Sequence, residues 1–197
     1  PGHYTKDAPE KILTNNASWK NFNLRKIAEC FDIPLYFSNN VHCMTRAESL
    51  FYTKPDVDNS NFLFFHIGRG IHCTHLYHDT LYGSQNLKIG EIGHMTVHPD
   101  GELCECGKHG CLQTYASETW LIKKARLLYH SSPDTYLHQL VNDEHEITLS
   151  VILNAYELGD TILVKLITLA VKSIATTITN LNMIIDCKRV FIHGELF

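Results

Sequence analysis

Three cysteines and a histidine fall within one thirty-residue stretch, Lys88 to Ser117, and their types suit a soft cation. The stretch reads KIGEIGHMTVHPDGELCECGKHGCLQTYAS, with thiols at Cys104, Cys106 and Cys111 and an imidazole at His94, before a Pro99-Asp100-Gly101 turn. Zinc takes four tetrahedral ligands of this nitrogen and sulfur kind. Gly107 and Gly110 let the chain double back, so that thiolates two and five residues apart can meet at one ion. The competing reading is a set of reduced, half-buried thiols without metal. His98 and His109 are nearby rivals to His94. A disulfide framework is not expected, because seven cysteines among 197 residues are too sparse for a stapled secreted fold.

The elements that must position these groups alternate between helical and extended patterns, which predicts an α/β fold. Leu24, Ile27, Ala28 and Phe31 recur at helical spacing, and a short extended run, Ile33 to Phe37, follows. A second helix is expected from about Val41 to Phe51. Asn61–Ile67 and Ile71–Tyr77 read as strands, with His78-Asp79-Thr80 turning into Leu81-Tyr82. Ser117 can cap a helix to about Tyr129, ended by Ser131-Ser132-Pro133. Another helix spans Leu149 to Leu158 and stops at Gly159. Asp160 then caps a long apolar segment to about Ile185, and Val190 to His193 reads as a last strand. Lys165 and Lys172 interrupt the long segment, so a buried helix is expected there and no membrane span. Ser131 to Glu146 is the most polar stretch and the best candidate for an insertion or domain edge.

Composition narrows the classes of function. A chain that is 44% hydrophobic and 19% charged can bury a sizeable core. Its net charge of −4 argues against gripping a polyanion directly. Lys123, Lys124 and Arg126 form a compact basic group that reads as a solvated helix face. No apolar leader precedes the cysteines, so a reducing cytoplasm is the expected compartment. The chain starts at Pro1-Gly2 without a methionine and ends in an apolar run, as expected of a piece of a longer protein. His72, Cys73, His75 and His78 form a dense tract, but alternation along a strand would divide it between two faces. Trp120, Leu121 and Leu128 suit a core or a dimer face, and Cys30, Cys43 and Cys187 suit small apolar fillers.

The motif GEIGH at Gly90 to His94, followed by CECGKHGCLQ at Cys104 to Gln113, resembles the signature of the ROK family. That family groups sugar kinases with sugar-responsive transcriptional repressors. Pro1-Gly2 resembles a family turn, PLYFSNN at Pro34 to Asn40 its strand leading into Asn-Asp, and HGELF at His193 to Phe197 its glycine-rich element. The resemblance covers nearly the whole chain. It implies a partial ribonuclease H-like, actin/hexokinase-type sugar-kinase fold with a structural zinc loop. Residues 1–197 would be a central and C-terminal-lobe fragment, with lobe boundaries near 40–60 and 186–190. The first phosphate loop and the DNA-binding head would lie outside it. The resemblance also assigns the zinc to His94, Cys104, Cys106 and Cys111. It gives sugar-binding roles to Asn39, Glu91 and His94, and to the positions held by Asn40 and Gln113.

Departures from the family pattern point away from the kinases. The kinase aspartate that deprotonates the sugar hydroxyl is replaced by Asn40, and an amide cannot act as a base near neutral pH. Gly68-Arg69-Gly70-Ile71-His72-Cys73-Thr74 stands where further glycines are usual, and bulky side chains there hinder backbone approach to phosphate. Gly68 and Gly70 alone read equally well as an ordinary turn. Gln113 replaces a glutamate. No catalytic activity is therefore expected.

What the resemblance leaves is a sugar site without chemistry. Asn39 and Asn40 offer donors and acceptors suited to vicinal hydroxyls, Glu91 accepts, and Gln113 makes neutral hydrogen bonds. One His94 nitrogen would face zinc, and the other would be free to donate to a ligand or to a neighbouring acceptor. The alternatives are a helix cap for the asparagines and a solvated loop carboxylate for Glu91. The expected function is the sugar- or sugar-phosphate-sensing and oligomerisation region of a ROK repressor, cytoplasmic and homodimeric or larger. Such a region would touch DNA only through a missing segment. The alternatives are an ATP-dependent sugar kinase, glucokinase- or fructokinase-like, and a zinc-stabilised interaction module.

Overall fold

The computed structural model describes residues 3–4, 12–13, 23–52, 59–83 and 89–197, and these fall into two compact units. The division comes at 62/63, 73/74 and 90/91. The Pro1-Gly2 turn lies outside the described residues.

The first unit holds residues 1–62 and 74–90. Its strands β1 (His3–Tyr4) and β2 (Ile12–Leu13) pair antiparallel. Helix α1 (Leu24–Ala28) is capped by Asn23, whose side chain accepts from the backbone N–H groups of Arg25 and Lys26. Residues 34–39 carry no regular element, so the run expected at Ile33–Phe37 forms no strand. Helix α2 (Asn40–Phe51) follows at the place its periodicity predicts. Thr45 is fully buried on it, where its hydroxyl donates to Val41 O and meets the hydroxyl of Thr74. Arg46 reaches the carbonyl of Asp79 at 2.5 Å and ties α2 to the turn that follows strand β4. Cys30 and Cys43 are exposed, and the filler role expected for them fails.

Strands β3 (Asn61–Ile67) and β4 (Ile71–Tyr77) keep their expected boundaries and run through both units. The sheet order is β5-β4-β3-β6, with β5 spanning Thr80–Leu81 and β6 Val190–His193. His78 and Asp79, between β4 and β5, both have positive φ (45° and 58°), as a tight antiparallel hairpin turn requires. β3 lies between two neighbours and buries Phe62, Leu63, Phe64, Phe65 and Ile67, the near-continuous apolar run of a strand covered on both faces. Parallel pairing with β6 sets Leu63 opposite Val190 and His66 opposite His193.

The second unit, residues 63–73 and 91–197, carries most of the described helices and the larger core. Helices α3 (Gln113–Ala116), α4 (Glu118–Ser131), α5 (Leu137–Leu140), α6 (Leu149–Glu157) and α7 (Thr161–Asn182) follow in order. α3 and α6 pack on α7, and α4 and α5 pack on α6. Ser117 caps α4, Thr148 caps α6 and Asp160 caps α7. α7 is long and apolar enough to cross a membrane by length and composition, yet it buries one stripe, Leu163, Ile167, Ala170, Ile174 and Thr177. A stripe of this spacing marks a helix laid on a core. Ser173 and Thr177 enter it because each hydroxyl donates to the carbonyl four residues back. The polar stretch Ser131–Glu146 lies wholly within the second unit and not at a unit edge. Leu137 is fully buried within it, and Thr135 and the Tyr136 N–H both donate to the Asp160 carboxylate.

Candidate functional site

The cysteine loop is built by two close backbone approaches. The short 3-10 turn Ile92–His94 sits against the backbone of Ile71, where a Cβ on Gly93 would come within 2.7 Å of the Ile71 carbonyl oxygen. Farther on, Gly110 passes so near His98 that a Cβ would lie 1.5 Å from the His98 carbonyl oxygen. Gly110 also has φ +66°, a conformation that side chains disfavour. Bridges Thr96–Cys111 and Leu103–His109 hold the two arms of the loop together. The N–H groups of Val97 and His98 both donate to Gly110 O.

This folding brings His94, Cys104, Cys106 and Cys111 together, with one ligand atom from each within 4.8 Å of every other. Cys104 Sγ lies 3.5 Å from His94 Nδ1, and Cys106 Sγ lies 3.6 Å from Cys111 Sγ. With bonds of ~2.3 Å to sulfur and ~2.0–2.1 Å to nitrogen, the edges of a tetrahedron around zinc are about 3.5–3.8 Å. These two separations match, within a cluster whose ligand atoms all lie inside 4.8 Å of one another. The donor set therefore fits a closed tetrahedral site for a soft divalent cation. His98 and His109 are not members: the His98 ring lies tilted against Tyr115, and His109 Nδ1 bonds to Gly101 O.

The electrostatics of the thiols agree with that reading. Burial and its thiol neighbours push the Cys111 thiol up to about 12. Cys106 is lowered: burial opposes ionisation there, but bonds from the Lys108 N–H and the neighbouring thiols, with the Lys108 charge, outweigh it. Crowding makes three thiolates mutually costly, and a divalent cation removes that cost.

Several contacts around the cluster escape sequence reasoning. Lys108 Nζ donates to the His94 carbonyl at 2.6 Å, clamping the ligand backbone. The Gln113 amide donates to Cys104 Sγ at 3.4 Å and to Glu105 Oε1 at 2.9 Å. Gln113 is only 6% exposed, so it supports the cysteine loop directly. Glu91 faces His72 Nδ1 at 3.5 Å across from β4. Lys108 and Glu105 could have been suspected from lying inside the loop. The Glu91–His72 contact depends on how a turn docks on a strand and leaves no local trace.

In the first unit, Asn39 serves as the cap of α2, its carbonyl oxygen accepting from Val41 N–H at 2.8 Å and His42 N–H at 3.3 Å. Asn40 opens the helix and is exposed. Gly68 and Gly70 form the β3–β4 turn, closed by a bond from Gly68 N–H to Gly70 O. Ile71, Cys73 and Thr74 beyond it are buried in β4. The His/Cys tract makes separate contacts: His72 faces Glu91. Cys73 is buried, and His75 bonds to Asn61.

The ROK family pattern matches residues 1–197. The xylose repressor of Caldicellulosiruptor bescii is 27% identical over all of this chain and half of its own length. The xylose repressor of Bacillus subtilis (strain 168) is 32% identical over 62% of this chain and 32% of its own length. The chain thus spans half or less of the length of these relatives. Among solved structures, a ROK family transcriptional regulator homologous to the E. coli MLC protein superposes with TM-score 0.80 at 23% identity, covering 98% of this chain and 48% of that one. A ROK glucokinase from Streptomyces griseus, in complex with glucose and AMPPNP, superposes equally well at 22% identity over 98% and 63%. At these identities the likeness is one of fold, which repressors and kinases share. With the family pattern matched from end to end, this α/β chain belongs to the ROK family.

Proposed function

We propose that the chain is the effector-binding and oligomerisation region of a cytoplasmic ROK-type transcriptional repressor, built on a partial ribonuclease H-like, actin/hexokinase-type frame. It takes a sugar or sugar phosphate and has no catalytic role. The observation that carries the reading is Asn40, an amide where the kinases need a carboxylate. It can hold a sugar hydroxyl but accepts no proton from it near neutral pH. The repressors among the relatives support the same reading. A DNA-binding head would lie in a segment beyond this chain, and homodimerisation would couple two such heads.

In this proposal His94, Cys104, Cys106 and Cys111 hold zinc as a structural ion, which cross-links the loop and has no open position for Lewis-acid chemistry. The loop then fixes His94 and the neighbouring Glu91 for the ligand, and Gln113 acts through its hold on Cys104 and Glu105. Asn39 and Asn40 supply further donors and acceptors to the sugar. Effector binding changes DNA affinity only through its different affinity for two states of the repressor.

Calorimetry on the full-length protein tests the proposal, with xylose first in the sugar panel because two relatives are named for it. Binding of one sugar that weakens at least tenfold in Glu91→Ala is the expected result. Sugar phosphorylation with ATP at ordinary kinase turnover, on the order of 1–100 per second, overturns it in favour of a kinase.

A further inference from the structure

The parallel register of β3 and β6 places His66 directly opposite His193, at one end of the four-stranded sheet. Their Nδ1 atoms lie 3.2 Å apart, and the rings are tilted by 32° with centroids at 5.3 Å. His193 also stacks with the buried Phe64, which fixes the plane of its ring. His66 is the half-buried residue in an otherwise buried stretch of β3, and His193 is exposed.

We propose that His66 and His193 form a second cation site, a cross-strand imidazole chelate for a borderline divalent transition metal such as nickel or zinc. Two nitrogens on one ion at ~2.0–2.1 Å stand roughly 3.0–3.4 Å apart, depending on whether the angle is octahedral or tetrahedral. The observed separation falls in that range before any ion binds. Backbone pairing sets it, so little ordering cost remains for the ion to meet. Imidazole donors without thiolate suit nickel, copper and zinc better than calcium or magnesium. Exposure of His193 leaves an entry path and room for water on the remaining positions.

The protonation state is favourable as well. Burial, then the neighbouring His193 and His72, push His66 below its ordinary value, so its ring is neutral near pH 7 and able to bind metal. The chelate is built on the His66 and His193 nitrogens alone, and His72 Nδ1 faces Glu91. The site is separate in composition from the cysteine cluster, and it stands whether or not the chain is a repressor.

The full chain, first loaded with one equivalent of zinc, can be titrated with nickel and followed by its d–d absorption. A second equivalent should bind to the wild type and weaken at least tenfold in both His193→Gln and His66→Gln. Zinc should stay near one per chain throughout, and the thermal midpoint without nickel should not change, which separates lost ligation from lost folding. If the wild type takes no second equivalent, or either variant keeps it at unchanged affinity, the rings form only a hydrogen bond and the proposal fails.

Discussion

The cysteine loop of the second unit and the starts of α2 and α7 use polar side chains in opposite ways. In the loop, Cys104, Cys106, Cys111 and His94 turn toward one another, and Gln113 reinforces them from behind. At the helix starts, Asn39 and Asp160 turn toward backbone N–H groups that the helix itself leaves unsatisfied. Side chains that converge mainly on one another, with only weak sulfur contacts to backbone, call for something external to hold. Side chains bound to backbone have a local explanation, and a ligand role for them needs separate proof.

The largest effect should come from taking away what the loop converges on. Cys106→Ser, or prolonged chelation, should reduce zinc from one per chain toward none. It should cost several kcal/mol, though less than the ~10–16 kcal/mol that zinc supplies to peptides lacking any other core. For a chain of this size that is a fall of roughly 10 °C in thermal midpoint. Elemental analysis beside a melting curve reads both. A purified wild type with far less than one zinc and the same midpoint would erase the contrast between the two regions.

Next in size is the backbone that shapes the loop. Gly110→Ala forces a side chain into a left-handed conformation and against the His98 carbonyl, so a loss of about 3 kcal/mol is expected. Zinc affinity should fall with it. Gly107 has φ +87° with open space around a would-be Cβ, and alanine there should cost only about 1 kcal/mol. Denaturant melts of the two variants compare a steric demand with a purely conformational one.

Much of this was readable before the fold was known, for reasons visible in particular residues. The boundaries of β3, β4 and β6 follow from dense β-branched and aromatic runs, and α4 and α7 announce themselves through Ser117 and Asp160 ahead of apolar periodicity. The four cluster members were legible because cysteine and glycine spacing within one loop is a local property. Polarity misled at Ser131–Glu146, where Thr135 is buried because it serves the Asp160 carboxylate, a partner 25 residues away. The pairs His66–His193 and His72–Glu91 were invisible for the same reason. Each depends on strand register or docking over long sequence separations.

A smaller effect belongs to the cap of α7. Burial raises the Asp160 carboxyl, but donation from Thr135 and the N–H groups of Leu163, Tyr136 and Ile162 outweighs it and holds the group below its ordinary value. The folded state therefore binds its proton less readily than the unfolded state. The resulting stability is complete above the unfolded value of ~3.9 and disappears as pH falls through the depressed folded value. Asp160→Asn should cost about 2 kcal/mol at pH 7. Urea melts should show the gap between variant and wild type closing as pH drops below ~4. A gap independent of pH would mean the carboxylate charge contributes nothing.

The smallest effect decides whether the two regions differ as sharply as their geometry suggests. Asn39 caps α2, and in the proposed function it would also contact a sugar. Asn39→Ser keeps a short oxygen acceptor at the cap, so stability should hold within a few tenths of a kcal/mol, whereas Asn39→Ala should lose about 1 kcal/mol. A serine hydroxyl does not replace the amide N–H donor that a sugar hydroxyl would use. If Asn39 works only as a cap, Asn39→Ser binds the effector like wild type. If it serves both purposes, with its oxygen on the helix and its nitrogen on the sugar, Asn39→Ser stays folded while calorimetric affinity falls about tenfold, near the ~1.4 kcal/mol of one hydrogen bond. We expect the second result. The side-chain oxygen accounts for both bonds that the Asn39 side chain makes to backbone, and the nitrogen of the same amide is the part those bonds do not use.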